Sequence, residues 1–141
     1  MERLYYAIER GERIAIHLLR FYDESQYVIA KSVTVDEPKY LKKELLNFKM
    51  DGHEVKGEPE YTFCGAFDDY GDKLSFKVEN QVADPSNTWV EKDVLSFKGK
   101  YVDESLHLKQ VSKRTQWETE RVYLPTTEEE LLNNFQQIIT G

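Results

Sequence analysis

Residues 93–112 read Asp-Val-Leu-Ser-Phe-Lys-Gly-Lys-Tyr-Val-Asp-Glu-Ser-Leu-His-Leu-Lys-Gln-Val-Ser, and their alternation decides the fold. Successive side chains of a strand point to opposite faces. A turn at Asp103 and Glu104 therefore sets Tyr101 opposite Leu106, Gly99 opposite Leu108 and Phe97 opposite Gln110. Lys98, Lys100, His107 and Lys109 share the reverse face. The stretch is a β-hairpin with one apolar face, which belongs on a core, and one basic face.

The device repeats upstream. Glu60–Asp68 and Asp72–Glu79 form a hairpin; with Tyr70 and Gly71 at its tip, Phe67 faces Leu74, Gly65 faces Phe76 and Phe63 faces Val78. Thr62, Ser75, Lys77 and Glu79 take the other face with Cys64 and Ala66, so a one-residue slip would bury charge. Leu-Ser-Phe-Lys occurs at residues 74–77 and again at 95–98, two strands meeting one packing requirement rather than a duplication. Nearer the N-terminus, Leu4–Glu9 and Glu12–Tyr22 flank an Arg10-Gly11 turn, and Tyr27–Val35 supplies a third strand. There Ile14, Ile16 and Leu18 fall on one face while His17, Leu19 and Phe21 fall on the other. Both faces need cover, the outer one from a helix or a second subunit.

Asp36 and Pro38 open a helix whose Tyr40, Leu41, Leu45 and Phe48 recur at helical spacing and which ends near Lys49. Residues 50–53, 57–59 and 81–92 read as loops, the last around Ala-Asp-Pro-Ser-Asn-Thr. Trp117–Leu124 is the final strand, stopped by Pro125. Thr127 and Glu130 make a capping box for a helix over Glu128–Ile139, with Leu131, Leu132, Phe135, Ile138 and Ile139 as its apolar stripe. That helix is expected to dock on the outer face of the N-terminal strands, or on a second copy.

These elements predict a single mainly β domain over residues 1–141: an eight-stranded antiparallel up-and-down barrel with a helix after the third strand and a C-terminal helix. Closure removes exposed strand edges; an open curved sheet wrapped around a helix is the alternative. Phe97-x-Gly99-x-Tyr101 followed by Leu106-x-Leu108, after Phe63-x-Gly65, resembles the lipocalin-like or calycin superfamily of small barrels. The Gly-x-Trp common near the N-terminus of lipocalins does not occur here. The resemblance implies a ligand site inside the barrel. The candidate lining is Tyr61, Phe63, Phe67, Phe76, Phe97, Tyr101, Leu106 and Leu108, together with Leu74 and Leu95. Large aromatics in these positions could equally fill the interior.

A net charge of −7 without a basic run longer than two residues argues against nucleic acid and against an anionic membrane surface. The single cysteine, Cys64, excludes an internal disulfide and fits a reducing compartment, so a cytoplasmic location is expected. His17, His53 and His107 are dispersed, and Asp68, Asp69 and Asp72 read as turn residues rather than a calcium loop. No metal, cofactor or catalytic residue is expected. Binding of a small apolar or amphipathic ligand inside the barrel is the leading expectation. An interaction or assembly module, as a homodimer through the N-terminal strands or the C-terminal helix, comes second, and an enzyme third. Converging titratable groups in a cleft would favour the last.

Overall fold

The computed structural model describes residues 2–34, 37–52, 54–81 and 92–140. Eight strands close into an antiparallel barrel: β1 (Glu2–Arg10), β2 (Ile14–Tyr22), β3 (Tyr27–Thr34), β6 (Thr62–Tyr70), β7 (Lys73–Asn80), β8 (Val94–Val102), β9 (Ser105–Ser112) and β10 (Glu118–Thr126). Each pairs with its neighbour along the chain, and β1 pairs with β10 to close the ring. Outside it lie a short β4–β5 hairpin (Lys49–Asp51, Glu54–Lys56) and three helices: α1 (Pro38–Leu46), α2 (Glu128–Asn133) and α3 (Phe135–Thr140). This closed meander is compatible with a calycin-like fold. No helix among the described residues is long and apolar enough to cross a membrane.

The β8–β9 register is the expected one, with Tyr101 opposite Leu106, Gly99 opposite Leu108 and Phe97 opposite Gln110. β6 and β7 keep the expected faces, but their register is shifted by two residues. Phe67 faces Phe76, and Tyr70 faces Lys73 across a Gly71-Asp72 loop. Gly71 sits at φ +64°, and two-residue hairpin loops favour a glycine in that first position. Arg10 faces Ile14, so the first turn has three residues rather than two. Met50 and Asp51, expected in a loop, belong to β4 instead and pair with Val55 and Glu54, and Met50 and Val55 pack against the outer apolar layer. Pro125 lies inside β10 opposite Tyr5. The β9 pairing ends at Tyr123, so the missing N–H forfeits no bond on that side. The terminal helix divides at Asn134 into α2 and α3. Asp36, the expected cap of α1, and most of the 81–92 loop lie outside the described residues.

Two apolar layers share the N-terminal strands. Inside the barrel, Tyr5, Leu19, Phe21, Val28, Phe67, Phe76, Phe97, Leu106, Leu108 and Tyr123 are buried together. Phe21 meets Tyr5, Phe67 and Phe76 edge-on with centroids 5.7, 5.1 and 5.6 Å away, and Phe76 stacks on Phe97 at 4.5 Å. Outside it, Leu4, Ile16, Leu18, Ile29 and Val33 lie under Leu41, Leu45, Phe48, Leu131 and Phe135. The helices thus cover the second apolar face of β1–β3. Arg20, 2 % exposed, pins this layer. It stacks on Phe48 at 4.4 Å and donates to the carbonyls of Phe48 and Leu45. It also pairs with Glu2 and, at 2.9 Å, with Glu128 of α2. Lys31 on β3 pairs with Glu44 of α1 at 2.6 Å.

Gly65 and Gly99 let neighbouring backbones approach. A Cβ at Gly65 would lie 2.1 Å from the Lys77 carbonyl oxygen, and one at Gly99 1.8 Å from that of His107. Neither could be accommodated without moving a strand.

Candidate functional site at the barrel mouth

The two ends of the barrel are built differently. At the end near the β2–β3, β6–β7 and β8–β9 turns, Arg3 of β1 acts as a plug. Its Nε donates to Asp23 at 3.0 and 3.1 Å, its Nη2 lies 2.8 Å from the same carboxylate, and its Nη1 donates to the Tyr101 hydroxyl at 2.9 Å. The guanidinium lies 4.9 Å from the Phe21 ring centroid and within 5.9 Å of those of Tyr5, Phe67 and Tyr101. A planar cation of this kind satisfies hydrogen bonds at its edge while its faces rest on aromatic rings. Burial raises the Tyr101 hydroxyl pKa, opposed by the Arg3 hydrogen bond.

The opposite end is open. A cavity of about 230 Å³ lies there, lined by Leu19, Ala30, Phe63, Leu95, Phe97 and Tyr123 towards the core, and by His17, Ser32, Glu60, Tyr61 and Gln110 among its polar residues. His17 and Ser32 are cross-strand neighbours on β2 and β3. His17 Nδ1 lies 2.6 Å from Ser32 Oγ, and Nε2 lies 2.9 Å from Glu9 Oε2 on β1. Arg121 of β10 reaches the same Glu9 oxygen at 3.4 Å and donates to Gln110 Oε1 at 2.9 Å. Its Nε is buried without a hydrogen-bond partner among the described residues.

The protonation states follow from this arrangement. Burial and the Arg121 charge lower the His17 pKa against the opposing pull of Glu9, so the imidazole is neutral near pH 7. The hydrogen bond from His17 holds the Glu9 carboxyl below the ordinary carboxylate range, with Arg121 adding to the effect and burial opposing it. An ionised carboxylate only accepts, so the ring proton sits on Nε2. Nδ1 is then an acceptor, and the Ser32 hydroxyl donates to it. Ser32 is exposed, His17 is buried behind it, and Glu9 stands on the far side of the ring.

Of the expected lining residues, Tyr61, Phe63, Leu95 and Phe97 border this cavity. Phe67, Leu74, Phe76, Leu106 and Leu108 belong to the filled interior, and Tyr101 to the Arg3 plug. Alternation assigns a side chain to the inside of a barrel but not to a depth along its axis. Glu9 and Ser32 are absent from the expected set although their strands adjoin β2, because alternation assigns a polar side chain to a face without showing which neighbour it meets; Arg121 is absent because β10 reaches β1 only through closure of the barrel. Of the other histidines, His107 is exposed on β9 and His53 lies outside the described residues. Among the described residues, no group of three or more His, Cys, Asp or Glu side chains is placed to hold a metal ion. No protein-family model, curated protein or solved structure matches this chain.

Proposed function

We propose that this is a lipocalin-like barrel that binds a small amphipathic molecule at its open mouth. The observation that supports the reading is the cavity of about 230 Å³, with an aromatic floor and a rim of hydroxyl, imidazole and amide groups. An apolar cavity of about 150 Å³ accommodates benzene, so this one suits a ligand of roughly nine non-hydrogen atoms. That is smaller than a fatty acid or a haem. Of the charged residues that line the cavity, Lys31 is paired with Glu44 and Glu60 carries a carboxylate, which disfavours an anion and suits an uncharged ligand that hydrogen-bonds at one end. An interaction module is the second reading. α1–α3 already cover the outer face of β1–β3, so that reading rests on the groove beside α3, where Val122 and Leu124 are exposed. Titration calorimetry with small aromatic ketones tests the first reading. Saturable binding is expected and should be lost in Leu95→Trp, which fills the cavity from a half-buried position. Equal binding by this variant, with an unchanged fold, would refute the site.

A further inference from the structure

We infer that Ser32, His17 and Glu9 form a proton relay that makes Ser32 an acyl-accepting nucleophile, so that the mouth site hydrolyses small uncharged esters. This rests on the mouth being a ligand site and adds a reaction to it.

Three observations support the inference. The first is order. The three residues come from the consecutive strands β1, β2 and β3, with contacts of 2.9 Å from Glu9 to His17 and 2.6 Å from His17 to Ser32. A nucleophile within hydrogen-bond reach of a base, itself oriented by a third group, is the general arrangement for covalent catalysis. The ring is used in the sense opposite to that of the familiar serine hydrolases, with Nδ1 facing the hydroxyl, but the proton logic is unchanged.

The second is the gradient of access. Ser32 is exposed and borders the cavity, whereas His17 is 9 % exposed and held on both ring nitrogens.

The third is the remainder of the rim. Gln110 Oε1 accepts from Arg121, which leaves the Gln110 amide N–H groups as its donors in the cavity. They are the candidates to stabilise a developing oxyanion. The groups around the imidazole are Glu9 on β1, Arg121 and Tyr123 on β10, and Glu60 and Tyr61 before β6. The positive charge of Arg121 is shared with the Glu9 carboxylate, which keeps Glu9 ionised as the positioning residue for His17.

The reaction balances without a cofactor. Ser32 Oγ forms a bond to the ester carbonyl carbon while its proton passes to His17 Nδ1. The bond from carbon to the leaving oxygen breaks, and that oxygen takes the proton from Nδ1. Water then attacks the acyl-serine with Nδ1 as base, and the proton returns to Ser32 Oγ as the carboxylic acid departs. Phenyl acetate, with about ten non-hydrogen atoms, matches the cavity if its ring rests on the floor.

The test uses the full chain with phenyl acetate, a fluorophosphonate label and the non-hydrolysable ketone analogue phenylacetone. Phenol release by the wild type is expected to fall at least about 100-fold in Ser32→Ala and His17→Gln, with a smaller loss in Glu9→Gln. Each variant's thermal melt checks its fold. The wild-type rate should be level through neutrality and fall on acidification below the ordinary histidine range, and peptide mapping should place the label on Ser32. Ketone binding without ester hydrolysis or labelling would overturn the relay and leave the ligand site standing. Absence of both binding and hydrolysis would overturn both. Full activity in a folded Ser32→Ala would overturn the relay alone.

Discussion

Each end of this barrel places an arginine over polar partners, yet one end is sealed and the other open. Arg3 lies among aromatic rings, and its main charge partner, Asp23, is two-thirds buried with a side-chain exposure of 34 %. Arg121, its side chain 14 % exposed, shares its charge with Glu9, whose side chain is 54 % exposed, and its Nε has no hydrogen-bond partner among the described residues. The same residue type thus serves as a plug among aromatic rings at one end and, through its hydrogen bond to Gln110, as a support behind the rim at the other. A plugged end lets aromatic side chains fill the barrel from below, and this confines the cavity to the mouth.

The comparison can be broken first at the arginines. Arg3→Met should cost about 3 kcal/mol, because charged hydrogen bonds and cation–π contacts are lost together and the Tyr101 hydroxyl is left without its donor. Arg121→Met should cost less, about 1–2 kcal/mol, since Gln110 loses its donor but an exposed Glu9 regains water. Denaturant unfolding of the two variants measures the difference. Equal losses would mean that the ends are equivalent in stability.

A smaller effect should appear with pH. The folded-state pKa of His17 is depressed, so between that value and the ordinary 6.5 the unfolded chain binds the extra proton. The stability contribution is present above 6.5 and is lost as pH falls towards the folded value. Glu9, also depressed, contributes in the same direction below its ordinary 4.5. Thermal melts should therefore decline on acidification below 6.5, and less steeply in His17→Gln, because Gln carries no titrating ring. Identical slopes for the two proteins would remove His17 from the account.

How far the sequence foretells this molecule depends on the range of each interaction. The β8–β9 register was legible because Asp103 and Glu104 fix the turn locally, and Asp103 adopts a φ of +56°. The β6–β7 register slipped by two because alternation specifies a face and not a partner. The helix-covered outer face was legible in the two-sided apolarity of β2, and Ile16 and Leu18 lie beneath the helices as that pattern requires. The mouth was not. Glu9, His17 and Ser32 are gathered by the β1–β2 and β2–β3 hairpins, where alternation does not say which polar side chains meet, and Arg121 joins them only because β1 pairs with β10. No local pattern carries that closure.

The most direct test of the asymmetry is chemical-shift mapping by nuclear magnetic resonance during titration with phenylacetone. Perturbations are expected at Ser32, Phe63, Leu95 and Gln110 around the mouth, with Arg3, Tyr5 and Tyr101 unmoved at the plugged end. Shifts centred on Arg3 and Tyr101, or on Ile8 and Ile138 in the groove beside α3, would contradict the assignment of the ligand site to the mouth.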